Sequence, residues 1–290
     1  MEKIFLDTDI GSDCDDAGAI AILHHLAELG EAEILGCTHC GSEIGGAVTV
    51  KAMNDWYGRE ALPIGQFKKH PFLEEENCKR FTSKIAEEYL KTHTMPEFES
   101  ATKTLRRALA EKKEVVLITI GMFNNIAELL RSQPDEISEK TGWELCRDSV
   151  KCMYSMGGNF EDEEFKEYNI ACDRESASFV AENFPKPINY VGFEIGSKII
   201  TGKNLAEAPG KCPLKAAYEV YNGLRESWDP ITVYCAVRQK NDFFKYREHV
   251  EITFDKEGRT VIQEGGKDRY VLFQAGIAEI QDELDKYIRA

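Results

Sequence analysis

The sequence predicts an α/β fold: an open, doubly wound, mostly parallel sheet flanked by helices, with a small antiparallel meander near the C-terminus. Three observations predict it. Apolar runs of strand length alternate with helical periods through the first two thirds of the chain. Clusters of Asp, Asn, Gly and Glu come directly after those runs, where parallel sheets hold their ligands. Residues 248–274 change texture. His249-Val250-Glu251-Ile252-Thr253-Phe254 alternates as a half-exposed strand, and Glu257-Gly258 and Gly265-Gly266 break the rest of the segment into antiparallel pieces.

Residues 3–8 form the first strand, and an amphipathic helix over 16–29 comes after it. A second strand spans 33–38, a helix 46–57, and a short strand lies at 63–65. Residues 66–100 are polar and weakly periodic with one helix candidate at 79–92, the kind of excursion that covers or flanks a site. A helix over 102–113 leads into a strand at 115–120, and Gly121 opens a helix through Leu130. Strands at 150–155 and 188–191 bracket an Ala-rich helix at 174–183. Helices at 214–225 and 230–238 precede the meander, and a final helix closes the chain. No Pro/Gly/Ser-rich linker divides it, so residues 1–290 read as a single domain.

A formal net charge of -15 leaves no basic stripe for a phosphate backbone or an anionic membrane, and points to a small soluble ligand. The nine cysteines are odd in number and fall partly in apolar runs, and their one C-x-x-C spacing, Cys37-Thr38-His39-Cys40, reads as residues on alternating faces at the end of a buried strand. With no secretory signal and no apolar span of about 18 residues, this predicts reduced thiols and a cytoplasmic protein.

The densest chemistry lies just after the first strand, where Asp7-Thr8-Asp9-Ile10-Gly11-Ser12-Asp13-Cys14-Asp15-Asp16 places five Asp in ten residues. Like-charged carboxylates this close take up protons unless a cation sits among them, and oxygen donors suit Ca²⁺ or Mg²⁺ better than zinc. A solvated acidic loop capping a helix is the plainer explanation of the same residues. Other polar groups fall at the same sheet edge: Thr38-His39-Cys40-Gly41-Ser42-Glu43, Ile120-Gly121-Met122-Phe123-Asn124-Asn125, Met156-Gly157-Gly158-Asn159, Glu167-Tyr168-Asn169 and Trp228-Asp229-Pro230. Each alone reads as a cap or a turn. Their joint placement favours a site.

The order of these motifs, from Asp7 to Asp229, resembles the inosine-uridine-preferring nucleoside hydrolases, which cleave the N-glycosidic bond of ribonucleosides. The family pattern is Asp-x-Asp-Pro-Gly-x-Asp-Asp, Gly-Asn, Thr-Gly-x-x-Thr-Asn-Ile, Met-Gly-Gly, Glu-Phe-Asn and a late His-Asp. The counterparts here are Asp7 to Asp16, Gly41-Ser42, Ile120 to Ile126, Met156 to Asn159, Glu167 to Asn169 and Trp228-Asp229. The resemblance implies a nucleoside-hydrolase-like sheet, a bound Ca²⁺ held by Asp9, Asp16, Asp229 and the Ile120 carbonyl, and Asp9 as general base toward a water that the metal acidifies. It further implies that Asp15, Glu167 and Asn169 hold ribose hydroxyls, Asn159 the 5′ hydroxyl, and Ser42 a weaker ribose contact. A homodimer or homotetramer acting on a nucleoside or related riboside is expected, with no nucleic-acid or membrane partner.

The chain departs from the pattern at the first loop, which is two residues longer and has Ile10 for Pro. Asp13 keeps the family's spacing from Asp9, whereas Asp15-Asp16-Ala17 matches its helix start, and we assign the roles to Asp15 and Asp16. Glu43 is an alternative to Ser42. Trp228 stands where many members carry a His proposed to protonate the leaving base, and an indole N–H cannot supply that proton. Trp228 is expected to stack a purine, with Tyr221 or Trp56 as possible partners, and packing alone is the competing explanation. His39 is a substitute acid to be weighed, and Glu194 a further carboxylate beyond a strand. Two alternatives stand beside the Ca²⁺-dependent, purine-favouring hydrolase of purine salvage. One is a hydrolase of another riboside such as nicotinamide riboside, and the other is a catalytically silent Ca²⁺-dependent sugar binder.

Overall fold

The computed structural model describes residues 1–290. In chain order the strands are β1 (Glu2–Thr8), β2 (Ala32–His39), β3 (Ile64–Gln66), β4 (Glu99–Ser100), β5 (Val115–Thr119), β6 (Val150–Met156), β7 (Ile188–Val191), β8 (Ile200–Thr201), β9 (Arg225–Glu226), β10 (Phe244–Phe254), β11 (Thr260–Glu264) and β12 (Asp268–Phe273). The helices are α1 (Asp15–Glu28), α2 (Ile44–Trp56), α3 (Thr82–Leu90), α4 (Ala101–Glu111), α5 (Asn124–Arg131), α6 (Gly142–Ser149), α7 (Tyr168–Cys172), α8 (Arg174–Asn183), α9 (Phe193–Gly196), α10 (Pro213–Glu219), α11 (Trp228–Val237) and α12 (Ile277–Leu284). No helix is long and apolar enough to cross a membrane.

Ten strands form one sheet in the order β11-β10-β12-β7-β6-β5-β1-β2-β3-β4. Its pairs from β7 to β4 are all parallel. Both faces are covered because the strands are apolar on both sides. Ile4 and Leu6 of β1 join one core cluster with α1, α2, α10 and α11, while Phe5 joins the other with α4, α5, α6 and α8. That is the doubly wound architecture expected from the sequence.

Three departures have local causes. The meander starts at Phe244 and is no separate sheet, since β12 pairs parallel to β7 through Arg269 with Asn189 and Tyr270 with Tyr190. The helix expected from Gly121 starts only at Asn124, because the Ile120 N–H still bonds the Asp7 carbonyl and keeps the chain extended. The helix expected through residue 225 stops at Glu219. Asn222 (φ 57°) and Gly223 (φ 83°) take left-handed conformations there and turn the chain into β9. The short α7 and α6 lay outside the sequence expectations, although Thr141 and Glu144 form a capping box at the start of α6.

Candidate active site

Leaving β1, the chain moves outward through β2, β3 and β4 on one side, then returns to lay β5, β6 and β7 on the other. The strand order therefore reverses between β1 and β5, and the crevice beyond their carboxyl ends is where an open parallel sheet binds its ligand. A cleft of about 300 Å³ opens there. Its floor comes from Asp9 after β1, Asp15 and Asp16 in the first turn of α1, Ile120 after β5, and Asp229 in the first turn of α11. Gly121 makes that floor possible, since a Cβ on it would lie 2.8 Å from Asp9 Oδ1 and from its main chain.

One carboxylate oxygen from each of Asp15, Asp16 and Asp229 falls within a 4.8 Å set. Asp9, Asp15, Asp16 and Asp229 are all buried. Thr8 Oγ1 donates to Asp16 Oδ1, and the Asp229 N–H donates to Asp15 Oδ2 at 3.0 Å. Burial pushes Asp9 up to about 7, helped by the charges of Asp13, Glu167 and Asp7. Burial and mutual repulsion also hold Asp15, Asp16 and Asp229 well above the usual carboxylate range. The oxygens that lie together are those of Asp15, Asp16 and Asp229, with Asp15 in the set where Asp9 was expected. With no lysine or arginine bonded to these or to Asp9, the buried carboxylates fit a hard divalent cation, whose charge would let them ionise.

The sugar side is set by Glu167 and Asn169. Glu167 caps α7 by accepting from the N–H groups of Asn169 and Ile170, at 3.0 and 3.1 Å, and burial pushes its carboxyl up to about 7. Asn169 Nδ2 donates to the Ile120 carbonyl oxygen at 3.3 Å, which holds the amide against the floor of the cleft.

The mouth is aromatic and cationic. Trp228 Nε1 donates to the Phe193 carbonyl at 2.8 Å, and its ring stacks on Phe193 with centroids 5.3 Å apart. It also lies on Gly196, where a Cβ would come within 2.3 Å of Trp228 Cδ1. Arg225 sits 5.2 Å from the Trp228 ring and 4.7 Å from that of Tyr221. Its guanidinium binds Asp13 through Nε at 2.7 Å and again through Nη2, and reaches Glu226 at 2.6 Å. Asp13 thus answers an arginine while Asp15 stays on the floor, although both line the cleft.

Among the residues singled out in the sequence, Asp9, Asp13, Asp15, Asp16, Ile120, Glu167, Asn169, Tyr221, Trp228 and Asp229 line this one cleft. Ser42 and Asn159 are not in the lining. Ser42 Oγ lies 2.6 Å from Glu74 Oε1 and accepts from the Phe72 N–H, and Asn159 Oδ1 accepts from the N–H groups of Glu161 and Asp162. His39 is buried with Nδ1 3.0 Å from the Gly41 carbonyl and Nε2 3.3 Å from that of Ile10, so it braces the Asp loop and burial holds its pKa down. Glu43 caps α2, Glu194 accepts from the Phe160 N–H, and Trp56 sits at the exposed end of α2; none of the three lines the cleft. Sequence reasoning missed Asn77, Arg80, Phe193 and Arg225. The only signal for Asn77 and Arg80 was that residues 66–100 form a polar excursion.

The profile of the family described as inosine-uridine preferring nucleoside hydrolase matches residues 4–284. Among solved structures, the inosine-uridine preferring nucleoside hydrolase from Bacillus anthracis shares 16% identity and a TM-score of 0.74, covering 99% of this chain and 98% of that one. The purine-preferring ribonucleoside hydrolase from Gardnerella vaginalis gives 20% and 0.74 over 99% and 98%. The plant nucleoside hydrolase PpNRh1 gives 18% and 0.71 over 100% and 99%. These likenesses show the fold. No curated protein matches the chain significantly.

Proposed function

Since the chain belongs to the inosine-uridine preferring nucleoside hydrolase family and is an N-glycosyl hydrolase of nucleosides, we propose that it works with Ca²⁺, with Asp9 as general base, and favours purine ribosides. The observation that carries this reading is the floor of four buried carboxylates without a paired cation. Asp9, Asp16, Asp229 and the Ile120 carbonyl would hold the ion. Asp15 belongs to the same oxygen set; its Oδ2 takes the Asp229 N–H, and its other oxygen, which accepts no hydrogen bond within the chain, would be open to a ribose hydroxyl or to the ion. A bound Ca²⁺ supplies positive charge that makes the attacking water more acidic.

Asp9 takes the proton of that water as its oxygen attacks the anomeric carbon. Beside a bound cation Asp9 would be ionised and so able to accept that proton. Glu167 and Asn169 orient the ring hydroxyls, and the negative floor favours the positive charge that grows on the sugar as the C–N bond lengthens. The base departs toward Phe193 and Trp228. With its N–H bonded to a carbonyl, Trp228 offers only its ring, which suits the broad face of a purine.

The test is release of reducing sugar from purine, pyrimidine and nicotinamide ribosides, with Ca²⁺ added and again after chelation. Metal-dependent release with purines fastest is expected. Release that survives exhaustive chelation would remove the metal from the reading, and faster pyrimidines would remove the purine preference.

A further inference from the structure

Two arginines line the mouth of the cleft, and only one is spent. Arg225 is charge-paired with Asp13 and Glu226. Arg80 has no carboxylate partner within salt-bridge distance, in a chain with 51 acidic and 36 basic residues. Its one side-chain bond runs from Nη1 to the Tyr221 hydroxyl at 3.2 Å. Tyr221 gives its own proton to the Ser12 carbonyl at 2.7 Å, so its oxygen can only accept from Arg80. Its main chain is anchored to the Asp loop. Its main-chain N–H bonds the Gly11 carbonyl at 3.1 Å, and the neighbouring Cys78 carbonyl sits where a Cβ on Gly11 would come within 2.1 Å. A guanidinium has five N–H donors, so four remain on this exposed side chain, which lines the same cleft as Trp228.

Resting on the reading of the cleft as a nucleoside site, we propose that Arg80 is a specificity-determining residue that reads the leaving base. Its guanidinium donates to an edge made only of acceptors, such as N7 and O6 of a 6-oxopurine, and disfavours a 6-aminopurine, whose exocyclic group presents N–H donors to the same fork. The fork also explains how the base leaves without a protonating His. When the C1′–N9 bond breaks, its electron pair goes to the base, and negative charge spreads over the purine to N7 and O6. The water oxygen bonds C1′ and its proton passes to Asp9. Arg80 keeps all its protons and stabilises the departing anion by charge and hydrogen bonds, because a guanidinium does not deprotonate near neutral pH.

The decisive experiment compares the wild-type full chain with Arg80→Ala and Arg80→Lys on inosine and adenosine. In parallel, hypoxanthine and adenine binding are monitored by tryptophan fluorescence. The wild type is expected to prefer inosine in kcat/KM by about tenfold or more, and Arg80→Ala to bring the ratio near one. Arg80→Lys keeps the charge without the fork and should restore only a minor part of the ratio. A ratio within about twofold of wild type in Arg80→Ala, or no preference in the wild type, overturns the proposal. If no riboside is turned over, the hydrolase reading fails on its own. The binding arm still decides: selective loss of hypoxanthine affinity in Arg80→Ala supports the proposal, whereas equal or absent binding of both bases overturns it.

Discussion

The main-chain N–H of Asp229 donates to Oδ2 of Asp15 across 3.0 Å, joining residues 214 positions apart. The bond ties the first turn of α1 to the first turn of α11 and brings Asp16 and Asp229 into one oxygen set. It also separates Asp15 from Asp13, whose carboxylate is turned to Arg225.

Asp15→Ala therefore removes a floor carboxylate and the acceptor of the Asp229 N–H together. Loss of kcat/KM by about 10²-fold or more is expected, the scale seen when one preorganised polar group is taken from a charged transition state. Asp13→Ala frees Arg225 and loosens the mouth but leaves the floor intact, so its loss should stay within about tenfold. Steady-state kinetics on one purine riboside tell the two apart. A larger loss at Asp13 would mean that the roles of the two residues are exchanged.

The first strand and its Asp cluster were legible because a short apolar run and a dense set of like charges are both local signals. The sheet edge was legible for the same reason: polar residues right after an apolar run in a parallel sheet have one place to go. The arginines of the mouth were not legible. Arg80 and Arg225 are ordinary surface-type residues in sequence, and only the packing of residues 76–80 over the Asp loop and the turn at Asn222 and Gly223 carry them to the cleft. Ser42 shows the opposite failure. It sits at a motif position, yet its hydroxyl ties down Phe72 and Glu74, contacts that no local pattern reveals.

Repulsion among the floor carboxylates predicts that a divalent cation stabilises the fold. A ligand present at a hundred times its Kd adds about 2.7 kcal/mol, so Ca²⁺ should raise the melting temperature by roughly 5 °C in a chain of this size. The rise should grow with Ca²⁺ concentration and reverse on chelation. It should shrink in Asp16→Asn, whose carboxylate belongs to the set. Calorimetry showing no shift with Ca²⁺ or Mg²⁺ would argue against a cation on this floor.

Glu167 gives the metal-free protein a pH dependence of known sign. Burial raises its carboxyl to about 7 despite the N–H groups it accepts from. The folded state therefore keeps a proton that the unfolded chain has already lost above its ordinary value near 4.5. The stabilisation is fully present below that value and disappears as pH rises through the folded value, an effect on the order of 2–3 kcal/mol. Urea unfolding should show the metal-free chain weaker at pH 8 than at pH 5. Glu167→Gln cannot titrate and should reduce the difference by the share of Glu167, leaving that of Asp9 and the other buried carboxylates. An unchanged slope in that variant would place the titration elsewhere among the buried carboxylates.

Trp228 separates a ring that stacks a base from one that merely fills space. Its N–H is held by the Phe193 carbonyl and its ring lies against Phe193 and Gly196, so part of its surface serves packing whatever the substrate. The part facing the cleft is what a base would meet. Loss of one base–aromatic contact costs about 1–3 kcal/mol, which predicts a fall in kcat/KM of roughly 10- to 100-fold for purine ribosides in Trp228→Ala. Pyrimidine ribosides, with a smaller face, should lose less, and Trp228→Phe should recover part of the purine rate because a ring remains. Equal losses for both classes, with a lowered melting temperature, would assign Trp228 to packing alone and leave Arg80 as the residue that reads the base.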